Sequence, residues 1–181
     1  MPGLRLQSPA VGDHNGAQAG ASDPEAQRWL EWPDKSLVPA SKREQFLSVR
    51  PGTGLLLPSR LEPGVISLVA IDPASDRLAG KVSMNRETRE IGGWLVPEYR
   101  SRGLGAALFA AAAELAQRHL GITTVHAGVH PGNAACIGAL TAAGFTPVPG
   151  PETHVQPNGR VIPARWFRHE CDQAGYCDFR R

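Results

Sequence analysis

Residues 99–109 read YRSRGLGAALF, with two glycines at the mouth of an alanine-rich run. A glycine inside a helix costs roughly 0.5–1 kcal/mol relative to alanine, so Gly103 and Gly105 imply that something must approach that backbone closely. A helix N-terminus exposes unpaired N–H groups and carries roughly half an elementary positive charge. With side chains removed, such a backbone can wrap an anion such as a pyrophosphate. Arg100 and Arg102 add positive charge at the same spot. Two familiar nucleotide loops fit incompletely. A Walker loop needs Lys-Ser/Thr after its second glycine, where Ala106-Ala107 stand, and a dinucleotide fingerprint needs a third glycine where Leu108 stands. A glycine-bearing turn without a ligand remains the alternative.

Metal chemistry finds less support. His126 and His130 are four residues apart on a strand-like segment, about 13 Å at roughly 3.3 Å per residue, too far to share one ion. The segment HECDQAGYC (169–177) has a histidine and two cysteines but no recognisable zinc spacing. The chain has 3 cysteines, an odd number that gives no disulfide framework. No metal is expected.

The elements that must position the glycine-bearing junction follow from periodicity. LRLQSP (4–9) alternates as a short strand does. Ser22 or Asp23 can cap a helix with Pro24 at its first position, ended by Pro33, after a stretch rich in Gly, Ala and Asp. SKREQFLSV (41–49) predicts a second helix, with Ser41 and Glu44 as a capping box. Strands are expected at 64–72, 77–85 and 89–96, a meander leading into the junction. Leu104, Leu108, Ala111 and Leu115 form one stripe of a helix that Gly121 terminates. A strand at 122–129 follows, expected beside and parallel to 89–96 because a helix separates them. Residues 131–145 predict another helix between Asn133 and Gly144. PNG (157–159) marks the turn of a final hairpin, and the polar tail from 171 stays outside the core.

The chain of 181 residues carries a net charge of +2 and is 41% hydrophobic. One domain over 1–181, with a core spanning about 4–170, fits that length. The charge is too small to argue for nucleic acid or an anionic membrane, and no apolar run approaches the ~20 residues of a membrane span. Without a secretory signal-like stretch, and with few cysteines, a reducing cytoplasm is the expected location.

IGGWLVPEYRSRGLGAALF, followed about thirty residues later by NAACIGALTAAGF, resembles the GCN5-related N-acetyltransferase (GNAT) family. Arg100, Gly103 and Gly105 fill the family's Arg/Gln-x-x-Gly-x-Gly/Ala signature, and Asn133 with Gly144-Phe145 matches its second marker. The segments SRLEPG, GGWLVPEYR and DPEAQRWLEW are similar to the branch that acetylates ribosomal-protein N-termini. The resemblance implies a mixed α/β fold whose central twisted sheet splays between two parallel strands, here 89–96 and 122–129. It implies acetyl-CoA as donor and a primary amine as acceptor, joined by direct attack in a ternary complex, in a monomer or homodimer. The acceptor is a protein N-terminus or side chain, with a small-molecule amine or a non-catalytic acyl-CoA-binding role as alternatives.

The same resemblance places the site. Backbone groups of Leu95 and Val96 would pair with the pantetheine arm, and an N–H near Leu95 would meet the thioester carbonyl. Amides of Ser101, Arg102, Gly103, Leu104, Gly105 and Ala106 would hold the pyrophosphate, with Arg100 contributing charge. Asn133 would contact the pantetheine. Glu90, directly before IGGW, stands where many family members carry their base. The tyrosine that often protonates the departing thiolate is replaced by Leu140, which leaves Cys136 as a candidate acid. His126 or His130 could line the acceptor cleft, and Trp29, Trp32 and Trp94 could wall it.

Overall fold

The computed structural model describes residues 3–54, 64–156 and 158–171. A first antiparallel sheet runs in the order β1 (Arg5–Gln7), β2 (Val65–Asp72), β3 (Arg77–Asn85), β4 (Ile91–Leu95). A second sheet places β9 (Arg165–Glu170) between β5 (Thr124–Val129) and β6 (Thr146–Val148). β7 (Thr153–Val155) and β8 (Val161–Pro163) form a separate ribbon. The helices are α1 (Val11–Ala21), α2 (Pro24–Leu30), α3 (Ala40–Leu47), α4 (Leu104–His119) and α5 (Ala134–Ala142). Among the described residues, no helix is long and apolar enough to cross a membrane.

The meander and the two later helices lie close to where periodicity puts them. Ile71, Val69, Leu108, Leu140 and Phe145 are among the fully buried side chains that join sheets and helices in one core. α4 ends at Gly121 in the left-handed region (φ 68°), and α5 ends at Gly144 (φ 89°) with the Phe145 N–H bonding back to Leu140 O at 3.0 Å.

Four expectations need correction. Residues 11–21 form α1, although VGDHNGAQAGA has weak helix propensity. Its small residues let it lie flat on the sheet: a Cβ at Gly16 would come 3.3 Å from Leu78 Cδ2, and one at Gly20 would reach 3.0 Å from Trp94 Cζ3. Burial there outweighs propensity, and the buried Asp13 carboxylate accepts from Ala10 N at 2.7 Å and Gly52 N at 2.9 Å. α3 begins after Pro39 with no side-chain cap, so Ser41 sits inside the helix and makes no capping box. The PNG hairpin is not the final element; Pro157 lies outside the described residues, and the chain goes on through β9 into the second sheet. β6 lies in the segment TPVPG, where Pro and Gly point to a loop.

The parallel neighbours of the expected βαβ unit meet at a single parallel bridge between Glu90 and His126, where the His126 N–H donates to Arg89 O at 2.9 Å. Past that bridge β4 stays with the first sheet and β5 with the second, so a splayed opening separates them.

Candidate active site

The junction after β4 is a loop whose geometry explains its residue types. A short turn of 3-10 helix, Pro97–Tyr99, leads into Ser101 (φ 57°) and Gly103 (φ 74°), both left-handed. Such alternation turns successive N–H groups toward one concavity, a nest suited to an anion. Among the described residues, the N–H groups of Ser101, Arg102, Gly103, Leu104, Gly105 and Ala106 meet no acceptor within the protein, and α4 has no side-chain N-cap. A Cβ at Gly103 would touch nothing within 4 Å, so its positive φ requires glycine and the space above it is open. Gly105 has a different reason: a Cβ there would lie 3.1 Å from Ala139 Cβ on α5. The second glycine serves the close approach of two helices.

Arg102 stays at the mouth of this loop, its guanidinium 5.4 Å from the Tyr99 ring centre and donating to Glu98 O at 3.2 Å. Arg100 does not. Its guanidinium turns inward to grip both oxygens of Asp23 at 2.7 and 2.6 Å, and its Nε donates to Leu95 O at 2.9 Å. Asp23 in turn caps α2 by accepting from Glu25 N and Ala26 N at 3.1 and 3.2 Å. The expected phosphate charge is therefore spent on tying the junction to α2. Burial pushes the Asp23 carboxyl up, but the hydrogen bond from Arg100, the Ala26 amide and the Arg100 charge together hold it below its usual value.

Backbone parity in β4 decides what faces the opening. Asn85 N bonds to Glu90 O at 2.8 Å and Val96 N bonds to Ala79 O at 2.9 Å, in an unshifted register. Alternate residues therefore bond to β3, and the N–H groups of Ile91, Gly93 and Leu95 point the other way, toward β5. Val96 cannot pair with an added chain as expected, because its N–H is in the sheet and its carbonyl accepts from Tyr99 N at 3.0 Å. Leu95 offers its N–H to the opening.

Asn133 caps α5, its Oδ1 accepting from Cys136 N at 3.1 Å. Its side-chain NH2 has no partner among the described residues. Cys136 packs against the core, and burial pushes its thiol up to about 12. Position at a helix N-terminus lowers a thiol's pKa, but here the loss of solvation wins. A coenzyme thiolate near pKa 8.5 is a much weaker base than the conjugate of such a thiol, so Cys136 is poorly matched to protonate it.

On the far side of the bridge, Glu90 meets a residue that sequence reasoning missed. His154 Nε2 of β7 lies 2.9 Å from Glu90 Oε2. The register of β5 and β9 puts His126 opposite Arg168 and Gly128 opposite Trp166, on the face away from buried Ala127 and Phe167. The Trp29 and His130 rings meet at a 45° tilt, with centroids 5.5 Å apart. Trp94 instead packs against α1, and the backbone N–H of Trp32 donates to Gln27 Oε1 at 2.8 Å. Nothing in THVQPNG marks His154 in advance, since its partner is 64 positions away. Among the described residues, no group of three or more His, Cys, Asp and Glu could hold a metal ion. Residues 172–177 of the Cys-containing tail lie outside the described residues.

A family model described as an acetyltransferase (GNAT) domain matches residues 4–146. No curated protein matches the sequence. Among solved structures, the chain is similar to spermidine N-acetyltransferase from Vibrio cholerae in complex with CoA and spermine, with 14% identity, 92% of this chain and 95% of that one covered, and a TM-score of 0.66. Aminoglycoside acetyltransferase AAC(6')-Ib with coenzyme A and kanamycin matches at 20% identity over 92% and 94% of the chains, with a TM-score of 0.66. A Vibrio cholerae protein assigned as a ribosomal-protein-serine acetyltransferase matches at 16% identity over 94% and 95%, also with a TM-score of 0.66.

Proposed function

The chain belongs to the GNAT acetyltransferase family, and on that premise we propose that it moves an acetyl group from acetyl-CoA to the primary amine of a protein N-terminus or side chain. The observation that carries this reading is the run of unpartnered N–H groups at Ser101–Ala106, set beside the opening between β4 and β5. Those amides and Arg102 hold the pyrophosphate, while the pantetheine lies along the opening past Leu95 toward the Asn133 carboxamide. The neighbours solved with CoA or coenzyme A support this fit.

The chemistry then follows from charge. An acceptor amine, with a pKa of about 8 at an N-terminus or about 10.4 in lysine, must lose a proton before it attacks. Glu90 takes that proton, directly or through water. The neutral nitrogen attacks the thioester carbonyl, and the negative charge that develops on its oxygen is met by the Leu95 N–H. Collapse breaks the C–S bond, and the second proton of the attacking nitrogen leaves through water as the departing thiolate gains one, giving the neutral amide and CoA thiol.

A small-molecule amine is the second reading, favoured by the aromatic pair of Trp29 and His130, which follows β5, and by the spermine and kanamycin in neighbouring structures. An assay of CoA release with N-terminal peptides, spermine and kanamycin separates the two. Turnover of peptides supports the first reading; turnover of spermine or kanamycin alone supports the second. CoA binding with no turnover of any amine would leave a binding module.

A further inference from the structure

The Glu90 carboxylate is held by one defined partner. Besides the 2.9 Å contact, the His154 ring is fixed from two sides. It stands edge-on to Trp166, with centroids 5.3 Å apart at 89°. It lies over Gly128, where a Cβ would come within 3.2 Å of its Cγ. The side chain is only 16% exposed, and its Nδ1 is buried without a partner among the described residues. With no acceptor for Nδ1 among the described residues, the tautomer that suits these surroundings carries its hydrogen on Nε2, facing Glu90.

The ribbon that delivers His154 is itself anchored. Gln156 Nε2 donates to Trp29 O at 3.1 Å, Asn158 Nδ2 to Leu30 O at 2.9 Å, and Arg160 pairs with Glu31 at 2.9 Å. All three latches reach the C-terminal end of α2, so the histidine is presented from a braced support.

We propose that His154 is the positioning residue for Glu90: its Nε2–H fixes Oε2 at the foot of the opening and leaves Oε1 as the atom that takes the acceptor's proton. The proposal rests on the reading of Glu90 as the base. The proton passes from the ammonium nitrogen to Oε1, and the imidazole keeps its own hydrogen throughout. The other titratable and charged groups around the pair and its support are His126 on β5, Arg168 on β9, Arg89 beside Glu90, and Arg160 and Glu31 at the latch. Neither Glu90→Gln nor His154→Gln alters any of them.

The test combines nitrogen-15 histidine spectra with kinetics. In the wild type, His154 should show the Nε2–H tautomer, and Glu90→Gln should move its signals. A His154 with hydrogen on Nδ1, or signals indifferent to Glu90→Gln, overturns the proposal; the tautomer is read on the wild type, so it decides even if a variant folds poorly. With acetyl-CoA and whichever of the N-terminal peptides, spermine or kanamycin turns over, His154→Gln should lower kcat about tenfold and displace the ascending limb of the pH profile. The KM for acetyl-CoA should hold, and the double variant should be no slower than Glu90→Gln alone. A wild-type pH profile in His154→Gln, or independent losses that multiply in the double variant, overturns the positioning role while leaving the enzyme reading intact. A wild type that releases no CoA with any of these amines removes the functional reading and the positioning role together, with the spectra still reporting the pair.

Discussion

Arg100 and Asp23, 77 residues apart, form a two-pronged ion pair at 2.7 and 2.6 Å that joins the junction loop to the cap of α2. The carboxylate side chain is 8% exposed and the guanidinium 26%. Removing one member of a buried pair strands the other. Arg100→Ala should therefore cost about 3–5 kcal/mol of stability, measured by urea unfolding. Its effect on CoA affinity should be secondary. A variant as stable as wild type, with CoA affinity lost in proportion to a phosphate contact, would restore the side chain to the ligand.

The same pair sets an acid dependence. Asp23 is held below its unfolded value of 3.8, so its contribution is complete above that pH and is lost as pH falls through the lower folded value. Asp23→Asn should lose stability at neutral pH but show a flatter slope below about pH 4 than wild type. Parallel slopes in acid titrations followed by circular dichroism would mean that Asp23 is not linked to acid unfolding.

Gly103 and Gly105, adjacent in one signature, should separate on substitution. Gly103→Ala meets open space but a φ of 74°, so it should cost about 1–2 kcal/mol of stability. Because the strain turns the N–H nest, CoA affinity by calorimetry should fall more than about tenfold, a loss of about 1.4 kcal/mol. Unchanged affinity in a folded variant would remove the pyrophosphate from this loop.

Gly105→Val should act through helix packing. Its Cβ would press on Ala139 Cβ, 3.1 Å away, and overpacking of this kind costs about 1–3 kcal/mol. Ala139→Gly should recover part of that loss in the double variant, even though glycine in a helix costs about 1 kcal/mol by itself. Additive losses in thermal unfolding would show that the two positions do not share the strain.

These contrasts show what the sequence can and cannot carry. The Asn133 cap and the Asp23 cap are local patterns, so spacing reveals them, whereas the α4 stripe holds only at Leu104 and Leu108: the buried face goes on through Ala112 and Ala116, not Ala111 and Leu115. α1 escapes notice because its glycines disfavour a helix, and only the sheet beneath makes small residues an advantage. Arg100 reads as a free cation until Asp23 is brought to it, and Gly105 reads as a ligand contact until α5 packs on it. His154 and Glu90 are joined by the ribbon's fold alone. Local chemistry is legible in one dimension; partners chosen by tertiary packing are not.

Cys136 gives the sharpest test of the acid step. Half-buried against the core, with its thiol pushed up to about 12, it stays protonated at the pH where the enzyme would work. A donor that weak gains nothing by giving its proton to a thiolate of pKa about 8.5. Cys136→Ser and Cys136→Ala should therefore release CoA at equal kcat, within about twofold, while the alanine variant loses a little stability through the vacated volume. The N-cap bond to Asn133 uses the backbone of residue 136, so neither change disturbs it. An alanine variant slower by about tenfold or more, with the serine variant near wild type, would return the acid role to Cys136.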